Sequence, residues 1–167
     1  EDGIKSALEA INVGGDAPPS SLFGPERFMS LENVESVTIA GDGRGRVPAG
    51  RVRALHTLWD GEAGPMGTAV AATFQAVKDF GPVRRADAQP GHGAAYPSGE
   101  LGKAMAEAAR IVRGDAGVRV ITVDQGSWDM HTGLPTRLKT QAGPMFDMGF
   151  TAFIEDLDQR GLLDETL

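Results

Sequence analysis

The sequence predicts an α/β fold built on a few parallel strands, and three observations carry that prediction. Val118–Val123 is a short, apolar, β-branched run of the kind that forms a buried strand. It follows directly on a helical segment whose apolar residues Leu101, Met105, Ala108 and Val112 recur along one face. A second helical pattern, Phe146, Phe150, Phe153 and Leu157, comes after it. Residues 98–167 thus read helix, strand, loop, helix, which is the repeating unit of a layered α/β fold.

The elements follow in chain order. Residues 3–13 form a short helical or extended opening that ends in Ile11-Asn12-Val13 before Gly14-Gly15. Three prolines and two serines between Asp16 and Pro25 predict irregular loop. Val34 to Ala40 alternates loosely and suits a short strand, closed by the turn-rich Gly41-Asp42-Gly43-Arg44-Gly45-Arg46. Val52, Leu55, Leu58 and Trp59 predict a helix from about Ala49 to Trp59. Val70, Phe74 and Val77 predict another from Met66 to Phe80, ended by Gly81-Pro82. Residues 83–97 read as an exposed connection.

In the next helix Ser98 suits the cap, Glu100 the first turn and Arg113 the last, with Gly114 as the stop. A final helix runs from Pro144 to Arg160, with proline in a permitted first-turn position and the Phe146–Leu157 stripe as its core face. Beyond it, the chain reads as a glycine stop and the first step into a strand. Two parts result: residues 1–97, an irregular and helical elaboration, and residues 98–167, a unit of the α/β core.

Composition narrows the function. With 167 residues the chain is one domain's worth, able to bury a core. Its net charge of −7 argues against a nucleic-acid surface, which needs clustered Lys and Arg. No run of about eighteen apolar residues is present to span a membrane. There is no cysteine, so disulfides, thiolate metal sites and thiol nucleophiles are excluded from this sequence. The opening at Glu1-Asp2 and the halt at Thr166-Leu167 suggest a segment of a longer protein.

The chemistry concentrates after the Val118–Val123 strand. Asp129 and His131 sit two residues apart in the loop beyond it, where open α/β sheets bind ligands. A carboxylate with an imidazole is a usual half of a metal shell, and its bland alternative is a turn-capping aspartate beside a surface histidine. Trp128 is expected to bury its ring at the sheet edge and aim the loop, with substrate stacking as the sharper alternative. Asp124 is a candidate outer partner for His131, or simply a turn former. Ser127 lacks a neighbouring base and the nucleophile-elbow pattern. His56 reads as a helix-surface or half-buried residue, His92 as a loop residue, and Arg84-Arg85 as solvated surface. Gly41–Gly45 lacks the Gly-Lys-Ser/Thr of a phosphate loop.

Several stretches together resemble a bacterial family, domain of unknown function 1501, grouped with the alkaline-phosphatase-like superfamily. They are Tyr96-Pro97-Ser98-Gly99-Glu100-Leu101-Gly102, Val118–Val123, Trp128-Asp129-Met130-His131, and Ala152-Phe153 through Asp156-Leu157 to Gly161-Leu162-Leu163-Asp164-Glu165-Thr166. Ser127 stands where the family signature has glycine, and Met130 where it has threonine. Ala10–Gly15, Pro18-Pro19 and Leu22-Phe23-Gly24 are also similar to the family, whereas residues 40–95 match only in layout.

The resemblance implies a partial alkaline-phosphatase-like layered fold, a few-stranded sheet covered by helices. It implies Asp129 and His131 as ligands of a divalent metal (Zn, Mn or Ca), with most other ligands and any nucleophile on family segments outside this sequence. The intact protein would then hydrolyse phosphate or sulfate esters, with a small-molecule ester or glycan as substrate. The alternative is a non-catalytic exported binding or assembly protein that keeps the fold. In either case the protein would be exported, and this segment alone would be inactive and hold no metal tightly. An exposed sheet edge would favour a homodimer.

Overall fold

The computed structural model describes residues 8–14, 19–22, 28–39, 50–91, 93–126 and 128–167. Three short strands, β1 (Ala10–Val13), β2 (Phe28–Leu31) and β3 (Val120–Val123), form one parallel sheet in the order β2-β1-β3. Ile11 stands opposite Met29 on one side and Ile121 on the other. The expected architecture, a few parallel strands covered by helices, is what the chain adopts. Residues 1–97 supply two of the three strands, including the central one.

Alternation along β1 sends Ile11 and Val13 to one face, where both are fully buried with Leu31, Phe80, Val83, Ala104 and Ile111. The residues opposite come from the helices that cover this face. These are α2 (Pro65–Asp79) with Phe80 at its end, α3 (Gly81–Arg85) and α4 (Glu100–Gly114). Each large side chain so buried stabilises the fold by about 1.5–3 kcal/mol. Helix α1 (Gly50–Trp59) precedes α2 and packs on it, with His56 stacked on Phe74 at 3.7 Å. Both helices lie within a residue or two of their predicted positions.

The opposite flank of α4, at Leu101 and Met105, meets the last helix at Gly149. That helix is the final part of a rod. Helix α5 (Leu134–Arg137) passes into a π-helical turn (Leu138–Ala142) and then into α6 (Gly143–Asp158). α6 buries Gly149, Ala152, Asp156 and Leu157 against α4 and its surroundings. Phe146 and Phe150, expected in the core, are instead half-exposed, because α6 meets α4 through the row that begins at Gly149.

Other local expectations are corrected by particular contacts. Val34–Ala40 contains no strand among its described residues; Val34–Ser36 is a single 3-10 turn. Asn33 Oδ1 accepts from the Ser36 amide at 2.9 Å, and Glu107 of α4 accepts from the Val34 amide at 2.8 Å. The N-cap of α4 is Gly99, with no side-chain cap bond, rather than Ser98. Leu163–Glu165 is a 3-10 turn and not the start of a strand.

Gly114 does not stop α4 by a left-handed turn; Asp115 takes that conformation, at φ 42°. The glycine serves close approach instead, since a Cβ there would lie 2.4 Å from the Val83 Cα.

Residues 83–97 are not a free connection. Gly91 is buried, and its amide donates to Asp156 Oδ1 at 2.8 Å. The fully buried Asp156 carboxylate also accepts from the Tyr96 hydroxyl at 2.9 Å, from Arg113 at 2.7 Å and from Arg160 Nε at 3.1 Å. The two guanidiniums go on to the carbonyls of Asp87 and Gln89. Loop 86–97 is thereby tied to the ends of α4 and α6. Burial alone would raise the Asp156 carboxyl, but the donors from Gly91 and Tyr96 and the charge of Arg113 outweigh it, holding the group below its ordinary value. Burial, then the bond to Asp156, pushes the Tyr96 hydroxyl above its ordinary 10.0.

Two outcomes are expected in urea titrations. Gly114→Ala costs about 1–3 kcal/mol by overpacking against Val83. Asp156→Ala costs about 3–5 kcal/mol, because it leaves buried Arg113 without its counter-charge. The Asp156 contribution is present above the unfolded carboxyl value of about 3.9 and is lost as pH falls below it. The native chain therefore loses stability more steeply than Asp156→Asn as pH drops below about 4.

Candidate functional site

β3 ends at Val123, and the chain leaves the carboxyl end of the sheet through Asp124 and Gln125. In the stretch that follows, Met130 is buried while Asp129 and His131 on either side of it are exposed. Met130 is thus the inward residue of the three, and both polar neighbours face solvent. His131 Nε2 lies 3.0 Å from Asp129 Oδ2, with the side chains 85% and 81% exposed. A pair this open contributes only about 0–1 kcal/mol to folding. The fold therefore does not depend on it.

Trp128 lies beside the pair. Its ring meets Phe146 of α6 edge-on, at 6.0 Å between centroids and 73° between planes, and Phe146 continues to Phe150 at 4.6 Å. The loop is thus aimed by an aromatic contact with α6, and the indole stays half-exposed. Asp124 is exposed and makes no hydrogen bond to His131 among the described residues. Ser127, His92 and Gly41–Arg46 lie outside the described residues.

A carboxylate oxygen and an imidazole nitrogen side by side suit a divalent cation such as zinc or manganese. Among the described residues, no third Cys, His, Asp or Glu joins them. A catalytic zinc takes about three protein ligands and a water, so the pair amounts to part of such a shell.

Two further polar groupings were not singled out from the sequence. Asn12, fully buried in the central strand, accepts from the Thr122 hydroxyl at 2.8 Å, while its Nδ2 has no partner among the described residues. The only sequence signal was an asparagine inside the run Ile11-Asn12-Val13. The other grouping is an open depression of about 410 Å³ lined by Ala86, Asp87, Arg113, Arg160 and Leu162. Its guanidiniums are committed to Asp156 and to backbone carbonyls, so it belongs to the fold's internal ties.

Over residues 54–167 the chain matches the family described as protein of unknown function (DUF1501). The matched span contains the later part of α1, α2 to α6, β3 and the whole Trp128–His131 segment. No curated protein and no solved structure matches the chain significantly.

Because the Asp129–His131 pair is an addition to the fold and not a support of it, Asp129→Ala and His131→Ala should each change stability by no more than about 0.5 kcal/mol in urea titration.

Proposed function

The chain belongs to this family of unknown function, and on that premise we propose that it is part of a metal-dependent hydrolase of phosphate or sulfate esters. Asp129 and His131 are its two donors to a divalent cation. The observation that supports this most is their position: a carboxylate and an imidazole 3.0 Å apart, open to solvent, just past the carboxyl end of a parallel strand. Buried Met130 holds them outward, and neither is consumed by the core. Their chemistry fits the cation, and their number fills only part of its shell.

When bound, such an ion polarises an ester oxygen and acidifies a water. The chain's own residues bind and orient: Asp129 and His131 hold the cation side, and the half-exposed face of Trp128 offers a stacking surface to a sugar or aromatic ester. Export from the cytoplasm belongs to the same reading and rests on the family resemblance.

Calorimetric titration with zinc and manganese, run on the native chain and on Asp129→Ala and His131→Ala, tests the assignment. Weak saturable binding is expected, removed by either substitution. Binding that both variants retain unchanged, or no binding by the native chain, would overturn it in favour of a binding or assembly protein that keeps the fold without the chemistry.

A further inference from the structure

The α5–α6 rod carries an apolar row that the rest of the described chain leaves uncovered. Leu134, Leu138, Phe146, Phe150 and Ile154 recur at multiples of four residues, and each is between 40 and 49% exposed. Ala142 completes the row at its middle. A four-residue row drifts around a regular α-helix; the wider π-helical turn at Leu138–Ala142 takes up part of that rotation. The ridge therefore extends along the rod for about 30 Å at 1.5 Å per residue. Continuous exposed apolar surface of this kind marks an interaction site.

Charge along the same rod is polarised. From Met130 to Phe146 the sequence has Arg137 and Lys139 and no acid; from Asp147 to Asp158 it has Asp147, Glu155, Asp156 and Asp158 and no base. Asp156 is buried, while Arg137, Lys139, Asp147, Glu155 and Asp158 are exposed.

We propose that a second copy of this chain docks antiparallel along the rod to form a two-fold dimer. Antiparallel docking sets the basic half of each rod against the acidic half of the other, twice over. Parallel docking would set like charge on like. Ridges spaced at four residues cross at about −50°, and with the two-fold axis midway between Ala142 and Phe146 the small Ala142 side chain of each copy faces Phe146 of the other. The contact is self-complementary, as a two-fold interface requires. A lipid surface fits less well, since the chain's net charge of −7 and the acidic half of the rod oppose an anionic bilayer. The dimer contact lies on the rod rather than on the side of β3 that is unpaired among the described residues.

Sedimentation equilibrium on the full chain tests this, with circular dichroism to verify folding. The native chain is expected to dimerise with increasing concentration, and Phe150→Lys to raise the dissociation constant about tenfold or more. Two charge-reversed forms sharpen the test: R137E with K139E, and D147K with E155K. Each alone is expected to be monomeric through self-repulsion, while an equimolar mixture of the two forms a heterodimer. A native chain that stays monomeric, a dimer indifferent to Phe150→Lys, or reversed forms that fail to pair in the mixture would overturn the proposal. So would a monomer that co-sediments with phosphatidylcholine–phosphatidylglycerol vesicles, which would assign the ridge to a membrane.

Discussion

Four residues at the centre of the sheet organise the molecule. Ala10–Val13 pairs in parallel with strands at 28–31 and 120–123, so both neighbours are fixed by the same short segment. Parallel pairing of β1 with β3 demands a long crossover, and helices α1 to α4 lie within it. The register is strongly specified, because a slip of one residue would replace Ile11 and Val13 with the Asn12 amide on the face packed against Phe80, Val83 and Ile111. With the register set, β3 must end where it does, and the segment carrying Asp129 and His131 must begin there. The exposed pair therefore inherits its position from an apolar contact on the far side of the strand.

A second constraint fixes what lies beyond that segment. The Asp156 carboxylate gathers donors from Gly91, Tyr96, Arg113 and Arg160, which pins α6 against α4 and the 86–97 loop. Once α6 is fixed, so is Phe146, and with it the edge-on contact that holds Trp128. A buried ion cluster and a surface loop are thus connected along one helix. The same helix turns an uncovered apolar row to solvent, so its packed side serves the fold and its open side is available for association.

The parts legible in the sequence were those written in side-chain period. The β-branched run at Val120–Val123 and the one-sided stripe of α4 are legible by period, although the Leu101–Met105 flank of that stripe packs on α6 while Ala104 and Ile111 face the sheet. Asp129 and His131 were legible because their spacing around Met130 is local. What escaped depends on residues far apart in the chain. Val34 looked like the start of a strand, but a carboxylate 73 positions away, on Glu107, accepts from its amide and a 3-10 turn forms. Asp156 is legible only as part of a family-like Asp-Leu pair, and its buried role is not, since three of its four donors lie 43 to 65 positions earlier. Phe146 and Phe150 have the period of a core stripe, but periodicity identifies an apolar face without saying whether anything covers it.

β1 is the doubly paired centre from which β3 and its loop take their place. Native-state amide hydrogen exchange measures this most directly. Amides of Ile11 to Val13, and those of β3 bonded to β1, should exchange only through opening close to global unfolding, far more slowly than amides of α1. Exchange in β1 as fast as in α1, or protection of β1 without protection of β3, would contradict the sheet on which the candidate site is placed.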